Sequence, residues 1–574
     1  MERPSGTFAV RRLNALLKAQ AFGALGALVP RLTDMIVSGN VIGVDALAGI
    51  AATVPVTIGA LFLGKLVYCG SGYLYAKCQG EFDREGAREI AGMALELAAV
   101  VGALIYATMF FGRDMYMDLM GISGSIREQA VAYWRWTSVY MAVFPSLMVM
   151  WRLVYADGET VTTAIGDVCQ PVFALVLTVV LAKATGSAGG SALGTLIAEI
   201  AADSIMMLHL FRKANTIAPK WCFSLARAKE LVFYSLTDAS TRLCQCGFMA
   251  VVNRLVVYAA SAEFLPVVGV IALLLELREV LDKIGDAYTP VAEMYLGEGN
   301  LRQLRILARH ALSVAAAVGT GLMAALAFFA PEVVAFYGIP RGLVFDHSVT
   351  ALRICCVALP VSSVIAFMTS HYLVLGRVAM SVTLTVAAEF LMTAGCASVF
   401  CFFWGLDALW IGLPFGGFLA LVVTMAYAWM VDRRDFPMLI PPAGDGVLTV
   451  SFVPETGRIV RVRDEVERFL SERDVPAATI GRIMLLVEEC AMALLDNNGK
   501  KARKIVAEGS FHVEPESVRV VIRDTGRICD ITDDDARVSG LRSFVIAGMM
   551  RQYSDRRYLN TIGCNRAAFT FSRA

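Results

Sequence analysis

The chain has 574 residues, of which 57% are hydrophobic and only 18% are charged. Soluble globular domains are less apolar and carry about 25% charged residues, so this composition excludes a chain built only of soluble domains. The formal net charge of +1 argues against nucleic acid as a partner, because phosphate binding needs a basic surface. The 13 cysteines form no CxxC pair, which excludes a zinc ribbon and predicts reduced thiols in packed helices.

Apolar stretches of membrane-span length recur through the first 435 residues, separated by short polar segments. They predict an all-α polytopic membrane protein with twelve transmembrane helices. The predicted spans are 16–38, 46–68, 88–111, 131–154, 161–183, 188–211, 229–253, 262–281, 308–330, 349–373, 378–403 and 408–431.

An internal repeat divides these spans into six plus six. The segment 112–122 resembles 330–339, and the alignment places Gly121 on Gly338. Repeated halves with six spans each are typical of transporters with a central cavity. We therefore predict two six-helix lobes, residues 1–215 and 216–435.

The basic residues near the span ends predict the orientation. Lys and Arg number 19 on one side and 5 on the other, and the richer side is normally cytoplasmic. The expected location is the plasma (inner) membrane, with both termini in the cytoplasm.

Several short motifs in the first lobe resemble the multidrug and toxic-compound extrusion (MATE) family. They are residues 33–39 (TDMIVSG), 42–43 (IG), 45–49 (DALAG), 70–71 (GS), Arg152, 156–158 (ADG) and 188–192 (AGGSA). The resemblance covers roughly residues 10–435. It implies a twelve-helix antiporter in two lobes that exports organic, often cationic, compounds against an inward flow of H⁺ or Na⁺.

Asp34 is the candidate for the ion-coupling carboxylate. A charged side chain inside a span is costly unless it faces a wet cavity or a partner, and such residues commonly serve transport. It lies four residues after Pro30, which frees a backbone carbonyl. An ion pair with Arg31 is the structural alternative. Glu199 and Asp203, four residues apart on one helix face, form a second candidate cation site or pair with a neighbouring arginine.

The composition changes near residue 445, where a soluble domain is predicted to begin. Residues 445–574 contain 39 charged residues in 130 positions, a soluble domain's share. A linker at 436–445, rich in proline and glycine, precedes it. The pattern of residues 446–574 predicts a two-layer α/β domain with strands at 447–453, 503–513, 517–523, 553–559 and 565–572, and helices at 456–473, 478–497 and 540–551.

Four segments of this tail resemble the ATP-binding domain of anti-sigma-factor serine kinases, in the histidine-kinase-like ATPase superfamily. They are 485–491 (LLVEECA), 521–526 (VIRDTG), 539–542 (SGLR) and 565–569 (NRAAF). The resemblance implies that Asp524 binds adenine, that Gly526 leaves room for the base, and that Gly540 and Leu541 open a phosphate-binding helix. Glu489 would be the general base of the kinase members. A turn residue at a strand end is the structural alternative for Asp524.

The position of the family's Mg²⁺-holding asparagine is Ala493, and Mg²⁺ requires oxygen ligands. We therefore expect no metal site and no kinase or ATPase turnover, but weak binding of ATP or another nucleotide, or docking of a cytoplasmic regulatory protein. The sequence thus predicts a secondary antiporter for small organic compounds, coupled to H⁺ or Na⁺, rather than an enzyme. The alternatives are a flippase for lipid-linked saccharides, whose cavity would need cationic lining, and a membrane-anchored signalling protein with a transporter-like sensor.

Overall fold

The structure is a computed structural model. It describes residues 8–80, 84–156, 161–211, 217–222, 224–431, 433, 436–442, 444–453, 456–499, 505–527, 556–561 and 564–573. Some side chains within these ranges, including those of 19–32, are not described. The helices of the membrane part are α1 (Phe8–Val41), α2 (Val44–Gly80), α3 (Arg84–Met120), α4 (Gly124–Ala156), α5 (Val161–Thr185), α6 (Ala188–Met207), α7 (Leu225–Ala259), α8 (Leu265–Gly297), α9 (Leu301–Phe328), α10 (Ala330–Phe336), α11 (Leu343–Cys355), α12 (Ala358–Val374), α13 (Val378–Val386), α14 (Met392–Trp404) and α15 (Leu406–Val431).

Each of the twelve predicted spans falls on a helix or on successive helices, but twelve crossings are not confirmed. Within the described ranges, eight helices are long and apolar enough to cross a membrane, and α11 with α12, bent by 44°, would make a ninth. Helices α7 and α8 do not meet that standard, because charged residues such as Arg242 and Glu276 interrupt their apolar stretches. Membrane-spanning helices are thus established, and their full number stays a prediction.

The residues that the predicted repeat aligns have the same backbone geometry. Gly121 follows the last turn of α3 with φ +72°, and Gly338 follows α10 with φ +79°. The amide of each glycine donates to a carbonyl three residues earlier, Asp118 or Ala335. Glycine is favoured at such helix ends because its missing Cβ permits the left-handed conformation.

Helix α2 of the first predicted lobe packs antiparallel against α7 of the second. The Asn253 amide donates to the Ala51 carbonyl at 3.1 Å, and at the opposite end the Gly70 amide donates to the Ser235 hydroxyl at 2.7 Å. A Cβ at Gly70 would lie 2.0 Å from the Leu231 carbonyl oxygen, so the backbones touch there. This contact joins the two predicted lobes along most of both helices.

The described part of the tail is a sheet covered by two helices, as the sequence pattern predicts. The strands are β1 (Val447–Phe452), β2 (Ala507–Val513), β3 (Ser517–Asp524), β4 (Arg556–Thr561) and β5 (Cys564–Ser572), and the helices are α16 (Thr456–Ser471) and α17 (Ala477–Asn498). The sheet is antiparallel throughout, in the order β1-β2-β3-β5-β4. Its apolar face, including Phe511, Val520 and Phe569, packs on both helices. The predicted helix at 540–551 lies outside the described residues.

The chain forms two compact units. One contains 19–286 and 312–433, which is most of the membrane part. The other contains residues 1–18, 287–311 and 434–574, so the tail shares a unit with the start of α1 and with the turn between α8 and α9. The predicted division into lobes, linker and tail stays a prediction.

Candidate functional site

Asp34 lies on α1 inside a cage of hydroxyl groups. Its carboxylate accepts a hydrogen bond from Tyr133 of α4 at 2.8 Å and another from Thr195 of α6 at 2.6 Å. Thr178 of α5 lies 3.5 Å from the Thr195 hydroxyl. The aspartate is only 7% exposed. These partners are neutral, so among the described side chains the cage supplies hydrogen bonds to the carboxylate without a balancing positive charge.

The position of this cage is fixed by a second contact between α1 and α6. The hydroxyls of Ser38 and Ser191 lie 2.6 Å apart, one helical turn from Asp34 and Thr195 respectively. Two consecutive turns of α1 are thus hydrogen-bonded to two consecutive turns of α6. The predicted alternative partner, Arg31, has a side chain outside those the structure describes.

Glu199 and Asp203 continue along α6 from Thr195 at four-residue intervals. The Gln170 amide donates to Glu199 at 2.9 Å, and Trp151 donates to Asp167 at 3.3 Å. Asp203 is 7% exposed, and the carboxylates of Glu199 and Asp167 act on it electrostatically. Four residues of helix rise about 6 Å, so Thr195, Glu199 and Asp203 follow one another along one face of α6. We call this row the polar ladder; it begins at Thr195, the residue that is hydrogen-bonded to Asp34 of α1.

The second predicted lobe contains ion pairs whose connectivity the sequence analysis did not predict, and the pair between Arg278 and Glu389 is buried. Arg278 of α8 pairs with Glu389 and, at 3.2 Å, with Asp282. Arg242 of α7 pairs with Glu279. Glu389 lies in a π-helical turn, Ala387–Leu391, between α13 and α14, and such turns are frequent at functional sites. The charges are visible in the sequence, but the turn that positions Glu389 leaves no clear sequence signal.

In the tail, Asp524 lies at the end of β3 and faces a small cavity. Its carboxylate accepts hydrogen bonds from the Gly526 amide at 2.7 Å and from the Asn565 side chain at 3.0 Å. Burial raises the pKa of Asp524, while these two hydrogen bonds lower it by less. The cavity has a volume of about 10 Å³, enough for roughly one water. Its described lining is Cys490, Leu494, Asn497, Ile522, Asp524, Tyr558, Asn565 and Ala567.

The other predicted nucleotide-site residues have different surroundings. A Cβ at Gly526 would lie 2.8 Å from the Asn498 side-chain nitrogen, so a larger residue at this position would displace the Asn498 side chain. The buried Oε2 of Glu489 accepts no hydrogen bond from the described residues, and Glu489 is not among those lining the cavity. Ala493 is buried in the helix–sheet core. Gly540 and Leu541 lie outside the described residues.

Comparison with known proteins agrees with the sequence resemblance in the membrane part. The MatE family model matches residues 23–180. The inward-facing structure of a multidrug resistance MATE family transporter of the MOP superfamily has a TM-score of 0.66 and 21% identity, covering 72% of this chain and 98% of that one. The outward-facing structure of such a transporter has a TM-score of 0.58 and 21% identity, covering 75% and 96%.

A third structure is a MOP superfamily transporter from Pyrococcus furiosus, described as having a binding pocket of reverse polarity that suggests a different function. Its TM-score is 0.60 and its identity 22%, with 75% of this chain and 96% of that one covered. No curated protein matches the chain. At these identities the structures establish the fold alone, and the MatE model matches a segment of 158 residues within it. The membrane part of this chain therefore has the fold of the MATE transporters, and its residues 23–180 match that family.

Proposed function

We propose that the chain is a MATE-type secondary antiporter that exports a small organic compound, typically a cation, in exchange for H⁺ or Na⁺. The observation that supports this most is the environment of Asp34. The partners of this buried carboxylate among the described side chains are hydroxyl groups and not cations, so the site provides oxygen ligands and a negative charge. A proton or a sodium ion would satisfy that charge, and its release would accompany a change in the cage.

Glu199 and Asp203 extend this ion site along α6. The ladder from Thr195 through Glu199 to Asp203 covers about 12 Å of helix at 1.5 Å per residue. The carboxylates of Glu199 and Asp167 repel that of Asp203, so a cation passing along this face would be favoured. We therefore assign to Glu199 and Asp203 the entry or exit of the coupling ion, with Asp34 as its binding site.

The test is gradient-driven export of ethidium from membrane vesicles energised with H⁺ or Na⁺. Asp34→Asn keeps the shape of the side chain and removes its charge, and we expect export to fall to the background rate. The matched control is Asp118→Asn, which changes an exposed carboxylate on α3, 68% accessible, and should leave export unchanged. Undiminished export by the Asp34 variant would reject the assignment.

The flippase alternative requires cationic side chains free to bind a phosphate. Arg242 and Arg278 are both ion-paired with glutamates in the second lobe, which leaves their positive charge compensated. The vesicle assay also distinguishes the signalling alternative, because a sensor without transport would export nothing under either gradient. The antiporter is therefore the function we favour.

For the tail, we propose weak binding of ATP that does not depend on Mg²⁺, without turnover. The resemblance assigns adenine binding to Asp524 and Gly526, whereas Ala493 provides no metal ligand. Calorimetry of the full chain with ATP, with and without Mg²⁺, tests this. We expect Asp524→Ala to abolish the binding heat, while Asp445→Ala, an exposed control, retains it. Tight Mg²⁺-dependent binding with hydrolysis would contradict the proposal.

The proposed topology places both termini and the tail in the cytoplasm of a cell whose plasma (inner) membrane contains the transporter. It rests on the 19-to-5 distribution of basic residues. A cytoplasmic regulatory protein is the partner that such a tail would bind. A tag at either terminus should react with an impermeant reagent only after the cells are opened. Labelling in intact cells would contradict the proposed topology.

A further inference from the structure

The polar face of the tail sheet is covered by the turn that joins α8 to α9. Tyr295 at the end of α8 donates to Glu508 of β2 at 2.8 Å. Asn300 at the start of α9 donates to Thr449 of β1 at 2.7 Å and to Ser510 of β2 at 3.2 Å. A segment distant in sequence thus occupies the sheet face opposite α16 and α17.

Buried charges dominate this contact. Arg523 of β3 has no exposed surface, pairs with both Glu508 and Glu298, and lies over the Tyr295 ring at 4.8 Å. Arg566 of β5 lies 2.8 Å from the second oxygen of Glu298. The two arginines and two glutamates balance in charge. Removing one member would leave a buried charge without its partner, which is strongly unfavourable.

The same two strands carry the candidate nucleotide site on their other face. Successive residues of a strand point to opposite faces, so Arg523 binds the turn while Asp524 faces the cavity. In β5, Arg566 binds Glu298 while Asn565 binds Asp524. The strand register pairs Arg523 with Arg566 and Asp524 with Asn565. A movement of these strand ends would therefore change both sites together.

We propose that residues 295–300 act as an internal ligand of the tail sheet, anchored by Arg523 and Arg566, and that this ligand holds the cavity at Asp524 closed. Two observations support the second part. The cavity is too small for a purine, and its polar groups already bond to one another through Asn565. Glu298 pairs with the arginines next to Asp524 in β3 and next to Asn565 in β5, so release of the turn would free the two strand ends that line the cavity. This deepens the proposed role of the tail, and its test needs no nucleotide.

Hydrogen exchange in the full chain tests the internal ligand. Glu298→Gln weakens the anchor from outside the tail and leaves the Arg523–Glu508 pair in place. We expect the amides of 298–304 to exchange at least tenfold faster, while β2 and β3 keep their protection. Arg519→Gln is the control, because it breaks a half-exposed ion pair with Glu514 on the β2–β3 hairpin, and the turn should then exchange as in the unaltered chain.

Alkylation of Cys490 tests the closure of the cavity. This cysteine lines the cavity and is 4% exposed, so N-ethylmaleimide should modify it slowly, as peptide mass spectrometry would show. We expect Glu298→Gln and Arg566→Gln to raise that rate at least tenfold, and Arg519→Gln to leave it unchanged.

Each contrary result is decisive. Unchanged exchange at the turn would show that the charges do not anchor it, and an unchanged Cys490 rate would show that the turn does not control the cavity. Faster exchange in β2 and β3 as well would make the turn an integral part of the tail's fold. Any of the three overturns the proposal, whereas a failure to bind ATP would refute only the nucleotide function.

Discussion

Asp34 in the first lobe and Glu389 in the second are both 7% exposed carboxylates within the membrane part, but their partners differ in kind. Asp34 accepts hydrogen bonds from the neutral hydroxyls of Tyr133 and Thr195. Glu389 pairs with the guanidinium of Arg278. An arginine is permanently charged, so it fixes the ionisation of its partner, while hydroxyls leave the carboxylate able to exchange a cation. The two predicted lobes therefore differ in the partners of their buried carboxylates, and ion coupling is expected in the first lobe.

The largest effect on stability is expected from Arg278→Gln. This change leaves Glu389 and Asp282 without their shared cation, at a cost of about 3–5 kcal/mol in the free energy of unfolding. Asp34→Asn should cost far less, because its hydroxyl partners can also bond an amide. Thermal unfolding of the purified proteins in detergent compares the two. Equal stability of both variants would remove the distinction between the lobes.

The next effect concerns export rather than stability. Thr195→Val removes a hydroxyl that donates to Asp34, and a hydrogen bond to a charged group contributes about 1.5–3 kcal/mol. We expect the rate of gradient-driven ethidium export to fall about tenfold. Thr108→Val is the control, since Thr108 bonds only to the backbone of its own helix. Similar rates for the two variants would argue that the hydroxyl cage is not part of the ion site.

A third prediction concerns the contact between the lobes at the end of α1. A Cβ at Gly39 would lie 1.9 Å from the Tyr337 carbonyl oxygen, and Asn40 donates to the Phe336 carbonyl at 2.7 Å. Gly39→Ala should separate these backbones and cost about 1–3 kcal/mol of stability. Gly395 is a helix position where an added Cβ would have no atom within 4 Å beyond its own helix backbone and chain neighbours in the part of the chain that the structure describes. Gly395→Ala should therefore be neutral or stabilising. Detergent melting temperatures test both, and a stable Gly39 variant would show that the contact is dispensable.

The smallest predicted effect is a pH dependence of the stability of the tail. It extends the comparison from buried carboxylates to a buried histidine, His512. Burial, with Arg519 and Arg523 nearby, lowers the pKa of His512 from 6.5 to about 4. The unfolded chain takes up a proton near pH 6.5 and the folded chain does not until near pH 4, so stability falls as the pH falls between these values. Between pH 7 and pH 5.5 the loss is about 1.2 kcal/mol.

Burial raises the pKa of Glu508, which acts in the opposite direction, so the comparison must be with His512→Gln. Urea-dependent hydrogen exchange of β2, at pH 7 and pH 5.5, measures tail stability in both proteins. The unaltered chain should lose about 1.2 kcal/mol more than the variant. An equal pH dependence would mean that His512 is protonated in the folded tail.

Membrane helices and tail strands could be predicted from sequence because both depend on local patterns. A helix that crosses lipid requires a long apolar segment, and a sheet with one apolar face requires apolar and polar residues that alternate along each strand. The functional contacts are not local. Tyr133 and Thr195 reach Asp34 from 99 and 161 residues away, and Glu298 reaches Arg523 from 225 residues away. Threonine and tyrosine are also common in membrane helices, so nothing in their immediate sequence marks them as partners of an acid.

The alternation along β3 determines how the tail can be studied genetically. Arg523 and Asp524 are consecutive, yet one serves the contact with the α8–α9 turn and the other serves the cavity. Truncating the chain before residue 445 would remove both roles and also expose Tyr295 and Glu298, so its phenotype would have no single cause. Substituting residues one at a time separates the roles. Variants of Arg523 should therefore share the phenotype of Glu298 variants, and variants of Asp524 should share the phenotype of Asn565 variants.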